Sequence, residues 1–247
     1  MSTALLQTTY FGPVQWYQKL YRYDCCCIEQ YDSYQKQTYR NRCVIATANG
    51  LQALTVPVMG GGWKVEGGGR IPEAQEQTSF NPSPSTFHHT LTKDLRISDH
   101  NQWRRVHWNA LQSAYSESPF FDYYADDIRP FFEKKYEFLV DFNEAIRQTV
   151  CDLLDIHPNV VHSSEFVQSN HKVQSSPTER SVALQSKFKV QSSTDFRDVI
   201  HAKHPKPDDD FTPKPYWQVF QHKYGFQPNL SILDLLFCMG PESIFYL

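Results

Sequence analysis

The sequence lacks the features that would assign the protein to nucleic acid or to a membrane. Lys and Arg total 24 against 27 Asp and Glu, so the formal net charge is −3 and no basic excess favours nucleic acid. No apolar run reaches the roughly 20 residues that a membrane span needs. The N-terminal MSTALLQTTYFGP has neither the charged region nor the long apolar region of a signal peptide. These absences predict a cytoplasmic protein with no nucleic-acid partner and no membrane span.

Several catalytic and ligand-binding motifs are also missing. The chain has no Walker A sequence, no GxGxxG, no GxSxG and no CxxC. Three of the six cysteines are consecutive (Cys25 to Cys27), and we expect them to be buried small residues in a reducing compartment. His201 and His204, followed by three aspartates, match no regular ligand spacing, so no metal site is predicted. No cofactor and no oligomeric state can be named.

The residues that are present predict a folded α/β protein. Apolar residues make up 40% and aromatic residues 15% of the 247 positions, which is typical of a globular chain. A short strand over residues 4–9, a helix from Pro13 and a buried strand over residues 25–28 predict a βαβ-like opening with a parallel strand pair. Asn49-Gly50 lies between two β-prone runs, which predicts an antiparallel hairpin.

Helical patterns dominate the second half of the chain. Asp99 is expected to cap a helix whose apolar face runs from Trp103 to Ala114. A longer helix is predicted from a stripe that begins at Phe131 and ends near Ile156. Asn229 or Ser231 is expected to cap a C-terminal helix, and Gly240-Pro241 is expected to end it.

Two segments of biased composition interrupt these patterns. Residues 59–90 are rich in Gly, Pro, Ser and Gln, which predicts a disordered insertion or a lid. Residues 167–194 are a low-complexity stretch that holds two copies of KVQSS, and adjacent strands or a flexible excursion both fit it.

Two stretches carry side chains suited to ligand binding. The turn after the first strand has one glycine, and Pro13 removes a backbone donor, so the residues by themselves favour a corner over a phosphate site. The following segment QYDSYQKQTYRNRC is denser in such groups, since Lys and Arg suit phosphate or carboxylate and Tyr and Asn suit a sugar or base. A solvated polar loop is the alternative. The candidate ligand-binding residues in this segment are Tyr34, Lys36, Arg40, Asn41 and Arg42.

Asp234 is an acidic residue in an otherwise apolar helix. It could close a shortened capping box with Ser231. Alternatively it is a partly buried carboxylate that acts as a base or orients a basic partner such as Arg42.

Several of these segments together resemble the WbqC-like family of bacterial proteins. The matching segments are LTVPV at Leu54 to Val58 and PNLSILDLLFCMG at Pro228 to Gly240. The likeness covers residues 1–58, roughly 91–165 and 195–247, and the family's first two prolines are Thr8 and Gly12 here. The single residues in register are Gln7, Tyr10, Phe11, Lys19, Asp24, Tyr34, Lys36, Asn41 and Arg42.

The resemblance implies a role in surface-polysaccharide or O-antigen biosynthesis. It implies one domain over residues 1–247, with a Rossmann-like (adenylyltransferase-like), mainly parallel sheet, a β-hairpin and long packed helices. The implied activity is that of a transferase using glycine, another amino acid or a nucleotide-activated sugar. The alternative is a non-catalytic nucleotide- or sugar-binding scaffold, because the HxGH of adenylyltransferases is absent. The implied catalytic residues are Asp234 and Lys36, and the implied binding residues are Gln7, Tyr10, Phe11, Tyr34, Arg40, Asn41, Arg42, Asn229 and Ser231.

Overall fold

The computed structural model describes residues 2–59, 90–168 and 193–247. The predicted insertion at 59–90 and the low-complexity stretch at 167–194, with its KVQSS repeat, lie almost wholly outside these described residues.

Eight strands form three sheets in the described part of the chain. They are β1 (Thr3–Gln7), β2 (Cys25–Glu29), β3 (Arg42–Thr47), β4 (Gly50–Thr55), β5 (Val58–Met59), β6 (Arg96–Ile97), β7 (Val160–His162) and β8 (Ser193–Asp195). The main sheet has the order β7-β2-β1-β8, and each neighbouring pair in it is parallel. The mainly parallel α/β architecture expected from the sequence is therefore confirmed.

The first strand pair has the predicted parallel direction and helical connection. Thr3 pairs with Cys25 and Gln7 with Glu29, and helix α1 (Val14–Arg22) connects the two strands. Successive side chains of a strand point to opposite faces, so Cys26 is fully buried while its two cysteine neighbours are half-buried.

The antiparallel hairpin is confirmed as well, but its two turn residues are Ala48 and Asn49 and not Asn49 and Gly50. Strands β3 and β4 are antiparallel, with Thr47 opposite Gly50. Gly50 has a φ of 101°, a conformation that glycine adopts without the steric cost of a Cβ atom.

The helices differ from the sequence prediction in one place. They are α1, α2 (Trp103–Tyr115), α3 (Phe121–Ile128), α4 (Pro130–Glu133), α5 (Leu139–Leu153), α6 (Gln221–Tyr224) and α7 (Ile232–Met239). The long helix α5 begins at Leu139, so assigning Phe131 to its stripe was wrong. Pro130 starts the separate helix α4, and the extended backbone of Lys134 ends it. None of the helices within the described ranges is long and apolar enough to span a bilayer.

The two predicted caps have different outcomes. Ser231 caps α7 by accepting from the Leu233 amide at 3.4 Å, and Gly240, with a φ of 57°, ends this helix, as predicted. Asp99 does not cap α2, because its carboxylate binds Arg104 and Lys135 instead.

Candidate functional site

The carboxyl ends of the four parallel strands lie at one edge of the main sheet. We call this the carboxyl edge, and its strand-terminal residues are Gln7, Glu29, His162 and Asp195. Open parallel sheets bind ligands outside this end of their strands. The side chains there are therefore the first place to look for a site.

Glu29 is the central group of the carboxyl edge, and its side chain is fully buried. One carboxylate oxygen accepts from the Tyr31 amide and the Ser163 hydroxyl, both at 2.7 Å. The other accepts from the Val167 amide at 2.7 Å and from Arg197 at 3.3 Å. These four donors come from the loops after β2, β7 and β8, so Glu29 ties together the loops around the strand ends.

Arg197 joins two of the strand ends. Its guanidinium binds Glu29 and also forms a fork with Asp195, where the shortest contact is 2.7 Å. Burial by itself would lower the pKa of Arg197, but the hydrogen bonds to Asp195, together with the negative charges of Asp195, Glu29 and Asp32, outweigh burial and raise this pKa. The arginine is thus a permanent cation whose side chain is only 9% exposed.

A second buried ion pair lies in the loop after β2. Arg40 contacts the carboxylate of Asp32, which also accepts a hydrogen bond from the Thr92 hydroxyl. Asp32 also contributes to the raised pKa of Arg197, so the two ion pairs are neighbours. Together they place two guanidinium groups and three carboxylates beside the strand ends.

Some buried polar atoms in this region have no hydrogen-bond partner among the described residues. They are Gln7 Oε1, Thr9 Oγ1, Arg40 Nε, Asn41 Oδ1 and Asn143 Oδ1. The amide nitrogens of Gln7, Asn41 and Asn143, in contrast, each donate a hydrogen bond. Gln7 donates to the Ile200 carbonyl at 2.6 Å, and Asn143 donates to Thr8 Oγ1 at 3.1 Å and to the Arg40 carbonyl at 2.8 Å. Buried polar atoms are normally paired, so these acceptors suit a ligand or water that donates hydrogen bonds.

His201 follows Ile200, whose carbonyl binds the Gln7 side chain, and it is close enough to Arg40 to feel its charge. Its Nδ1 accepts from the amides of Lys203 and His204, both at 3.1 Å, so the ring proton is on Nε2. Burial, then His204 and Arg40, lowers the pKa of His201. A half-buried neutral imidazole can donate from Nε2 or accept a proton after the ring turns.

The structure brings some of the predicted residues to the carboxyl edge. Gln7 and Arg40 are buried there, and Asn41 follows Arg40, with its side-chain amide donating to the Val56 carbonyl at 2.8 Å. Tyr34 is partly buried, and its hydroxyl hydrogen-bonds Asn41. Lys36 is exposed on the same loop.

Arg42 points elsewhere. It belongs to β3, where its Nε donates to Thr55 Oγ1 across the hairpin at 3.1 Å. Arg42 does not contact Asp234, so the expectation that Asp234 orients Arg42 was wrong.

The turn of Tyr10 and Phe11 is a corner whose backbone carbonyls are held by hydrogen bonds from the start of α7. The Phe11 carbonyl accepts from the Ser231 hydroxyl at 2.8 Å, and the Gly12 carbonyl accepts from the Ile232 amide at 2.9 Å. A Cβ at Gly12 would lie 2.5 Å from Thr9 Oγ1, so the corner requires glycine there.

Both aromatic rings of this corner are fully buried. Tyr10 stacks on Phe142 with centroids 5.7 Å apart, and its hydroxyl is 2.9 Å from His107 Nδ1. Phe11 stacks on Phe132 at 6.1 Å. Stacking on a ligand, which the sequence suggested, would require this packing to open.

Asp234 is in a different part of the core. Its carboxylate accepts from the Tyr115 and Tyr216 hydroxyls at 2.8 and 2.7 Å and from Gln218 Nε2 at 2.9 Å. The capping-box alternative was wrong, because the Ser231 amide donates to the Val44 carbonyl instead. Burial raises the pKa of Asp234, and the three neutral donors offset this rise only in part. Asn229 lies at the start of α1, where its Oδ1 accepts from the Gln15 amide at 2.9 Å.

Sequence reasoning missed Glu29, Asp32, Arg197 and His201. The position of Glu29 at the end of a predicted buried strand was a usable signal. Arg197 and His201 follow strand β8, which the sequence analysis did not predict. Among the described residues, no three His, Cys, Asp or Glu side chains are arranged to hold a metal ion.

Two surface clefts lie away from the carboxyl edge. One, of about 180 Å³, lies between the β3–β4 hairpin and residues 218–227. The other, of about 380 Å³, lies between α2 and α4.

Comparison with known proteins assigns the family. A protein of Mycobacterium tuberculosis (strain ATCC 25618 / H37Rv) that bears the name "Uncharacterized protein Rv1507c" is 28% identical over 225 residues, which is 87% of this chain and 83% of the relative. No solved structure matches the chain. The model of the WbqC-like protein family matches residues 7–67 and 70–246, nearly the whole sequence. The chain belongs to the WbqC-like protein family.

Proposed function

We propose that the protein is a transferase that binds an activated small-molecule donor at the carboxyl edge of its parallel sheet. One observation carries this proposal: the strand ends converge on a buried cluster of ion pairs that still holds unpartnered acceptors. Structural ion pairs do not need such acceptors, whereas a ligand with hydroxyl or amino groups would satisfy them. A sugar or an amino acid has these groups.

The residues of the cluster have separable roles in this proposal. Gln7, Asn41 and Asn143 accept from the hydroxyl or amino groups of the ligand. Arg40 uses its free Nε to bind the negatively charged part of the donor. His201 transfers the proton between acceptor and leaving group, since its lowered pKa keeps the imidazole neutral near pH 7.

The wider assignment rests on the family and on the sequence. Surface-polysaccharide or O-antigen biosynthesis is the setting implied by the resemblance, with glycine or a nucleotide-activated sugar as the donor. A Rossmann-like, adenylyltransferase-like fold fits four parallel strands with a ligand site at their carboxyl ends. A cytoplasmic location fits six free cysteines.

A ligand screen on the complete chain tests the proposal. Thermal unfolding is measured with nucleotides, nucleotide sugars and amino acids, including glycine. A ligand at about 100 times its Kd stabilises the native state by roughly 2.7 kcal/mol. We expect one class to raise Tm, and we expect mass spectrometry to detect transfer or slow hydrolysis of that donor.

His201→Ala is the variant that tests the site, and His222→Ala on α6 is its control because it is exposed and lies outside the cluster. We expect His201→Ala to lower turnover at least about 100-fold while leaving Tm unchanged. Equal turnover in the two variants would remove His201 from the mechanism. No stabilisation by any donor class would overturn the proposed function.

A non-catalytic binding protein is the second candidate. It is favoured by the two most buried thiols, Cys26 and Cys43, because burial raises the pKa of each to about 12 and so disfavours a nucleophilic thiolate. A ligand that raises Tm but is recovered chemically unchanged would support this alternative over the transferase.

A further inference from the structure

The larger cleft lies between α2 and α4 and shares no residue with the carboxyl edge. Its volume of about 380 Å³ is within the usual range of small-molecule sites. Its walls combine three arginines with two aromatic rings and one glutamate. These residues are Arg104, Arg105, Arg129, Trp108, Phe132 and Glu133.

The cleft has an excess of positive charge. Arg129 is paired with Glu133 at 2.6 Å, one turn along the chain. Arg105 is exposed and makes no hydrogen bond or ion pair with any residue in the described ranges. Its five N–H groups are therefore free to bind an anion in a planar fork.

Arg104 is held in position before any ligand arrives. Its side chain is 14% exposed, its guanidinium contacts Asp99, and it lies 4.6 Å from the centroid of the Trp103 ring. Its Nε is buried without a partner among the described residues. A buried donor of this kind suits a charged acceptor, because charge-assisted hydrogen bonds are about twice as strong as neutral ones.

The aromatic wall of the cleft is part of the core packing. Phe132 is buried, and the half-buried Trp108 lies 5.7 Å from it and 5.9 Å from Phe121. The accessible part of the Trp108 indole can contact the flat ring of a ligand, and its position is fixed by these neighbours.

We propose that this cleft binds a nucleotide, with the phosphates on Arg104, Arg105 and Arg129 and the base against Trp108. An anion without a ring would leave the aromatic wall unused, and an apolar ligand would leave the Arg104 Nε unpaired. A nucleoside diphosphate has both a ring and a multiply charged group. The site is separate from the proposed transferase site and does not depend on it.

Calorimetric titration of the complete chain with ADP, UDP, pyrophosphate and adenosine tests this site. We expect ADP or UDP to bind more tightly than pyrophosphate, and adenosine to bind most weakly. Arg105→Gln should weaken nucleotide binding about tenfold, because one charge-assisted interaction of roughly 1.5 kcal/mol is lost. Higher salt should weaken binding in the wild type as well.

The matched control is Arg96→Gln, since Arg96 is an exposed arginine outside the cleft. Trp108→Leu should weaken ADP binding and leave pyrophosphate binding unchanged. Equal affinity of the wild type and Arg105→Gln, or no nucleotide binding at millimolar concentration, would overturn the site. If His201→Ala loses ADP binding and Arg105→Gln does not, the nucleotide site is at the carboxyl edge and not in this cleft.

Discussion

Two of the regions that bury carboxylates in the described part of the chain do so in opposite ways. At the carboxyl edge Glu29 and Asp32 meet arginines, and some polar atoms nearby have no partner in the described part of the chain. Around Asp234 the carboxylate meets two tyrosines and one glutamine. The first arrangement keeps charged groups and unpaired hydrogen-bonding atoms beside the strand ends. The second fixes α7 to its neighbours. A buried acid in an apolar helix is therefore a structural anchor here, and the groups suited to a ligand lie at the strand ends.

The largest effect is expected from removing the Asp234 anchor. Asp234→Ala leaves two tyrosine hydroxyls and one N–H of the Gln218 amide unpaired in the core, which should lower the free energy of unfolding by about 4 kcal/mol. Urea unfolding at pH 7 measures this loss. Asp122→Ala is the control, because Asp122 is exposed in the first turn of α3. A loss below about 1 kcal/mol would show that the network does not hold α7.

A smaller loss is expected at the carboxyl edge. Arg197→Met leaves Glu29 buried with its three neutral donors, so we expect a loss of about 3 kcal/mol in the free energy of unfolding. Arg96→Met breaks an ion pair with Glu137 whose two side chains are half exposed, and it should cost about 0.5 kcal/mol or less. Equal losses in the two variants would contradict the difference in burial on which the comparison rests.

The smallest of the three effects concerns His107, which is buried against Tyr10 and Trp103. Burial lowers its pKa to about 4 from an ordinary 6.5, despite a hydrogen bond to the Thr55 backbone. Between these two values the unfolded chain binds more protons than the native state, so stability falls as the pH falls. Protonation of His107 in the unfolded chain should lower the free energy of unfolding by about 2 kcal/mol between pH 7 and pH 5.

Urea unfolding of the wild type and of His107→Gln at both pH values measures this contribution. Glutamine keeps a polar partner for the Tyr10 hydroxyl but does not titrate, so its stability should change less over this interval. An identical pH dependence in the two proteins would assign the acid sensitivity to other groups.

Local patterns were sufficient for much of the fold. The βαβ opening, the antiparallel hairpin and the Ser231 and Gly240 ends of α7 were predicted because each depends on residues close together in sequence. The break between α3, α4 and α5 was missed, since Phe131 fits a helical stripe whether or not Pro130 starts a new helix.

The candidate site was only partly predictable. Gln7, Arg40 and Asn41 were named from the first strand and the loop after the second. Their neighbours Arg197 and His201 come from residues more than 150 positions further along the chain. Pairing of β8 with β1 brings them together, and no local pattern encodes that pairing.

The sequence by itself determined the family, the α/β class, the βαβ opening, the hairpin and the two ends of α7, because these follow from short-range periodicity, turn residues and motif order. Only the tertiary structure decided which polar residues are anchors and which remain open to a ligand. That distinction depends on the donors and acceptors that distant segments bring to each side chain. Asp234 is enclosed by segments 16 to 119 residues away, while Arg40 keeps a buried Nε without a described partner.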